Sequence, residues 1–244
     1  MTVALSIATR QIISVTVDSA LMREFEDHTE YDVTQKAWAF PGVGCVATWG
    51  ALTGNKIARF LEVKGVSRGG HSVDELALLV DTFLKQEYQP HKEPLEDVGY
   101  HVAGFDKQRR PRLHHVMWGV ERPAPRDRPN PQEYHWWQHH PEAGQQVFLY
   151  NGRNDLAETV IKVLLRELQS GQDTRFDMSK SVDQIRFADF VLRFAAELTP
   201  QVAPPFKTFV LTPENQAAPI LNPKLEPMPR DVIERVLKKL GIMS

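Results

Sequence analysis

Residues 2–20, TVALSIATRQIISVTVDSA, and residues 36–50, KAWAFPGVGCVATWG, decide how this chain is read. In the first stretch Val3, Leu5 and Ile7 share one face, a break follows at Thr9-Arg10-Gln11, and Ile12 to Val17 is a second β-branched run. Two such runs across a short connection predict an antiparallel hairpin, which returns Asp18, at the exit of the second strand, beside Thr2 at the entry of the first. In the second stretch Lys36 to Phe40 and Val43 to Trp49 flank the turn pair Pro41-Gly42 and predict another hairpin. That hairpin returns Gly50 to the level of Lys36. The two together bring Thr2, Asp18, Lys36 and Gly50 to one end of a sheet.

Outward from this end, Ala20 to Gln35 is polar and reads as a loop. Leu52, Ile57, Phe60 and Leu61 mark a short amphipathic helix. Ser72 and Glu75 form a capping box for a longer one carrying Val73, Leu76, Leu79, Val80, Phe83 and Leu84. Strands are predicted over Gly99 to Phe105 and Pro111 to Trp118. The proline- and histidine-rich Gly119 to Gly144 segment shows no regular pattern. A strand over Gln146 to Tyr150 leads through Asn151-Gly152 into a helix with Leu156, Val160, Ile161, Val163 and Leu164 inward. A further helix, capped by Ser179 or Ser181, has a stripe of Val182, Ile185, Phe187, Phe190, Val191 and Phe194, and Phe206 to Leu211 is again a strand. Runs of strands between pairs of helices predict an α+β protein of mainly antiparallel sheets covered by helix layers. Residues 1–212 read as one domain and 213–244 as a C-terminal extension with a helix from Pro229 to Leu240.

The composition of the 244 residues, 42% hydrophobic and 25% charged with a net charge of -2, is that of a globular protein. It gives no electrostatic reason to bind nucleic acid or an anionic membrane. Apolar runs stay well short of the roughly 20 residues of a membrane span. No secretion signal opens the chain, and a single cysteine, Cys45, suits a reducing compartment, so a cytoplasmic location is expected. His135 and His139, with Glu133, His140 and Glu142, have a metal-ligand spacing only if helical. The prolines around them argue against a helix, and neither a metal nor a cofactor is expected.

The order of elements and these residues resemble the proteasome β-subunit family of N-terminal nucleophile hydrolases, which includes the bacterial HslV peptidase and a proteasome homologue of betaproteobacteria. "VTVDSA" is similar to the family's acid-bearing second strand, and "QKAWAFPGVGCVATWGALTGN" to its lysine strand and glycine turn. "YHVAGFD", "FLYNGRNDLAE" and "SVDQIRFADFVLRFAAE" follow its later elements. The resemblance implies a four-layer αββα sandwich, self-association into stacked rings (a tetradecamer, or a dodecamer), peptides or unfolded proteins as substrates, and an ATP-dependent unfoldase as a partner.

It also implies a mechanism. Removal of Met1 would leave Thr2 with a free α-amine, whose ordinary pKa near 8 suits it to act as the base for its own hydroxyl. Lys36 and Asp18 would tune that pair, and the Gly50 N–H would bind the oxyanion. Thr48, Leu21 and Leu52 would line the substrate pocket, and Asn151-Gly152 would stand where the family has a serine before a glycine. The chain departs from the family there and at Met22, which leaves open a catalytically silent ring acting as scaffold or cage, or a small-amide hydrolase. The same residues have plainer readings: Asp18 capping a turn, Lys36 a solvated charge at a strand end.

Overall fold

A computed structural model of the chain describes residues 3–24, 29–50, 54–88, 97–119, 133–152, 176–199, 201–215 and 218–221, together with Glu234 and Lys238. Strands β1 (Ala4–Ala8) and β2 (Ile13–Val17) form the first expected hairpin, with Ala4 opposite Val17 and Ala8 opposite Ile13. They lie in a five-stranded sheet with β10 (Val147–Asn151), β11 (Lys207–Leu211) and β12 (Ala218–Leu221), in the order β10-β1-β2-β11-β12. The second hairpin, β5 (Ala37–Phe40) and β6 (Gly44–Gly50), opens another five-stranded sheet, continued by β7 (Val98–Phe105), β8 (Pro111–Gly119) and β9 (Glu133–His139). Every described strand pair is antiparallel.

Three apolar clusters hold these elements together. Helices α1 (Gly54–Val63) and α2 (Val73–Tyr88) place Ile57, Leu61, Leu76, Val80 and Leu84 against Val46, Tyr100 and Val102 of the second sheet. The capping box of α2 is formed in both directions, with the Ser72 N–H donating to Glu75 Oε2 and the Glu75 N–H to Ser72 Oγ. Helix α3 (Ser181–Leu198) sets Phe187, Phe190 and Val191 on Val3, Leu5 and Ile7 of the first sheet. Between the sheets Ala4, Val15, Val17, Ala37, Ala47, Ala103, Leu113 and Phe209 pack together. β1, β2 and β7 are covered on both faces and every residue in them is buried, the alternating Ser14 and Thr16 of β2 included.

Several elements differ from expectation. The polar segment read as a loop holds a ribbon, β3 (Ala20–Glu24) paired with β4 (Thr29–Val33). Ala20 and Met22 stand opposite Val33 and Tyr31, a short apolar face that Arg23, Glu24, Glu30 and Asp32 around it obscure in the sequence. The segment from 119 to 144 contains β9; its two faces are both aromatic and polar (Tyr134 and Trp136, then His135, Trp137 and His139), so the period-2 contrast cancels. In a strand His135 and His139 lie about 13 Å apart, and the helical ligand spacing does not apply. Asn151 belongs to β10 rather than to a turn.

Helix α3 begins after Lys180, which makes no side-chain cap bond, and Val182 is exposed rather than inward. Strand β12 lies in the segment read as an extension and pairs with β11. The helix expected from Leu156 to Leu164 lies outside the described residues. So does the one over 229–240, apart from Glu234 and Lys238, which are helical. No described helix is long and apolar enough to cross a membrane.

The α3 stripe makes a direct test. Phe187→Ala opens the cluster beneath α3 and is expected to lower unfolding free energy by about 3–5 kcal/mol, whereas Val182→Ala changes it by less than ~0.5 kcal/mol, both read by denaturant unfolding.

Candidate active site

Asp18 follows β2 and is fully buried, and its carboxylate gathers three donors. Oδ1 accepts the Val3 N–H at 2.9 Å; Oδ2 accepts the Ala20 N–H at 3.0 Å and Lys36 Nζ at 2.9 Å. The two charged side chains are both at 0% exposure. Neither plain reading survives: Lys36 is not solvated, and Asp18 does more than cap the turn into β3. One carboxylate ties the entry of β1, the start of β3 and the residue before β5. Burial pushes the Asp18 carboxyl above its ordinary range against the pull of Lys36. Burial likewise pushes the Lys36 ammonium down, against the attraction of Asp18.

Lys36 and Gly50 are joined through β6. The Thr48 N–H donates to the Lys36 carbonyl at 2.8 Å, and Gly50 closes the strand opposite Val98. Gly50 has φ +79°, and a Cβ there would lie 2.0 Å from the Asp97 carbonyl oxygen. Backbone, not a flexible side chain, fills that space, so no other residue fits. Thr48 is buried, and its hydroxyl has no hydrogen-bond partner among the described residues. Leu21 is half-buried in β3. Thr2 and Leu52 lie outside the described residues; Val3, the neighbour of Thr2, is the residue held by Asp18.

Asn151 closes β10 opposite Ala4, and Gly152 follows it. The Asn151 side chain reaches between the sheets, where its Oδ1 lies 2.7 Å from His101 Nε2. His101 Nδ1 lies 2.9 Å from Ser6 Oγ. Sequence reasoning passed over His101 and Ser6. The available signal was a polar residue inside an otherwise apolar run, as in "YHVAGF" and "ALSIA". Burial holds the His101 pKa down at about 4 despite the bond to Asn151. His115, whose ring lies 5.3 Å from that of His101 and perpendicular to it, is held well below its usual range by burial and by His101, His139 and His135. His114, on the other face of β8, is lowered to about 4 by burial, opposed by Asp74 at 3.0 Å. Cys45 is buried between the sheets, and its thiol is pushed up by desolvation.

Solved structures that match nearly the whole chain include two of Anbu. The Anbu complex from Pseudomonas aeruginosa, described as a helical assembly, aligns with TM-score 0.56 and 15% identity over 98% of this chain and 93% of that one. Anbu (ancestral beta-subunit) from Yersinia bercovieri gives 0.55 and 13% over the same shares. The chain shares its fold with Anbu. No protein-family model and no curated protein matches the sequence. At these identities the likeness to Anbu carries the fold and not the chemistry.

Two outcomes are expected. Lys36→Ala, which leaves Asp18 buried without its cation, lowers unfolding free energy by about 3–5 kcal/mol. Adding Asp18→Asn to it costs less than the sum of the two single changes in a denaturant double-mutant cycle. The second concerns acid. A histidine bound in the neutral form contributes stability that is complete above its unfolded pKa of 6.5 and is lost as pH falls toward its folded value of about 4. Unfolding free energy should therefore decline from pH 7 to pH 4, and His101→Phe should flatten that slope by close to one proton's worth.

Proposed function

We propose that the chain is an N-terminal threonine hydrolase of the proteasome-like kind, a peptidase whose nucleophile is Thr2 after removal of Met1. The observation that carries this reading is the fully buried Lys36–Asp18 pair at the entry of β1, with Asp18 holding the Val3 N–H. In this reading the α-amine of Thr2 takes the proton of its own hydroxyl, and the charge of Lys36 lowers the pKa of both groups. Asp18 fixes Lys36 in place, and the Gly50 N–H meets the developing oxyanion. Thr48, Leu21 and Leu52 line the pocket for the side chain next to the scissile bond. Cleavage follows by acyl transfer to Thr2 and hydrolysis by water.

The assembly belongs to the same proposal. Two five-stranded sheets with helix clusters on their outer faces support a four-layer αββα arrangement, and the fold shared with Anbu supports self-association. Stacked rings of seven or six subunits in the cytoplasm, fed with unfolded protein by an ATP-dependent partner, and the kinship with HslV complete the reading. A second reading, a silent ring serving as scaffold or cage, draws on Asn151, whose side chain is committed to His101 rather than left for the site.

Intact-mass measurement on the native protein should show loss of Met1, and a β-lactone probe should add once, at Thr2. Lys36→Ala, in protein that remains folded, should slow that addition by about 10²-fold or more. Met1 retained throughout a native preparation, or addition at another residue, contradicts the peptidase reading. A Met1-free protein that neither labels nor cleaves unfolded protein at any pH favours the scaffold.

A further inference from the structure

Between the sheets, His101 has both ring nitrogens engaged on the opposite sheet. It is completely buried on β7, opposite Ala47 of β6 on one side and His115 of β8 on the other. From there it crosses to Ser6 of β1 at 2.9 Å and to Asn151 of β10 at 2.7 Å. Asn151 is in turn the ladder partner of Ala4, so both contacts fall on β1 and β10, whose paired ends are Ala4 and Asn151. The strand at the backbone of His101, β6, ends at Gly50. One imidazole thus links the strand leading to the nucleophile with the strand leading to the candidate oxyanion donor.

Most of this layer is apolar, and apolar contact is non-directional, so it fixes the distance between two sheets better than their lateral offset. Two hydrogen bonds from one rigid ring fix both. An imidazole is also a costly way to fill such a space, since an apolar side chain of the same volume loses no hydration. Stability alone does not account for a histidine here, whereas a need for lateral precision does.

We infer that His101 is a positioning residue of the candidate site: through Ser6 and Asn151 it locks β1 and β10 against β6 and β7, and so sets the N-terminal residue at a fixed distance from Lys36 and Gly50. This rests on reading Thr2 as the nucleophile. In that frame Asn151 supports the site indirectly, as an anchor for His101, rather than by touching substrate.

The test uses the Met1-processed full chain in its native assembly and the rate of β-lactone addition to Thr2 from pH 5 to pH 9. His101→Phe keeps a flat aromatic ring and loses both bonds; Asn151→Ala loses one. Each variant should react at least tenfold more slowly, and the double variant no more slowly than the slower single. The midpoint of the pH profile should move up toward that of a free α-amine, because the amine no longer sits beside the Lys36 charge. Wild-type rates in both single variants, multiplying effects in the double, or slower reaction with an unmoved midpoint overturn the inference while leaving Thr2 as nucleophile. A wild-type protein that has lost Met1 and does not react at all removes the nucleophile reading and this inference together. Should His101→Phe not fold, Asn151→Ala decides by the same rate and midpoint.

Discussion

Removing a lysine and an aspartate from water costs several kcal/mol per ion, and their mutual attraction offsets that only when the remaining hydrogen-bonding capacity is met. The N–H groups of Val3, before β1, and Ala20, at the start of β3, meet it for Asp18, and the residue preceding β5 of the second sheet supplies the lysine. The pair therefore requires the two sheets to stand at one separation and three chain segments to begin at the same point. The entry of β1, the turn into β3 and the residue preceding β5 are all tied to a single carboxylate. Much of what surrounds it serves that geometry: the tight hairpin of β1 and β2, which returns Asp18 to Val3, and Pro41-Gly42, which turns β5 back into β6.

The layer between the sheets shows how the separation is kept. Ala4, Ala37, Ala47 and Ala103 are small and lie in that layer, so a side chain from one sheet can reach the backbone level of the other. His101 uses this closeness to reach Ser6 and Asn151. Trp49 lies against Gly99 of the neighbouring strand, where any Cβ would come within 2.5 Å of its ring. Large and small residues thus alternate across the ladder, which is how a close-packed interior admits a tryptophan and a histidine side by side. Trp49 Nε1 and His115 Nε2 are buried without partners among the described residues, so the layer carries a polar cost for which the fold alone offers no compensation.

How much of this was legible in the sequence follows from the physics of each element. The two hairpins were legible because β-branched runs bounded by turn residues have few alternative structures, and the box at Ser72 and Glu75 because capping is local. Asp18, Lys36 and Gly50 could be grouped from hairpin return alone. The β3–β4 ribbon and β9 were not legible: the ribbon's strands are short and set among charged residues, and β9 has aromatic and polar side chains on both faces, so its period-2 contrast cancels. Nor was the direction of Asn151. Whether it faces a site or the interior depends on β10 pairing with β1, and that contact spans about 140 residues of chain. His101 went unnoticed for the same reason, since its partners come from distant strands.

The fold and the site place different demands on sequence, and this bears on the choice between chemistry and scaffold. The three apolar clusters require only residues of suitable size at suitable spacing, so the fold can be shared with Anbu at 15% identity. Gly50 is another matter: φ +79° and a carbonyl oxygen 2.0 Å from the absent Cβ permit no substitute. The buried pair differs again. Replacing a buried ion pair with apolar side chains of similar volume is often neutral or stabilising by about 1–4 kcal/mol. A chain that needed only to stack into an assembly could hold the same segments together with apolar side chains at that point. Lys36 and Asp18 at zero exposure, with Val3 held by the carboxylate and Gly50 at the end of the adjoining strand, form a costly arrangement. Under the proposed function, that cost is accounted for by the demands of a nucleophile at residue 2 and not by packing.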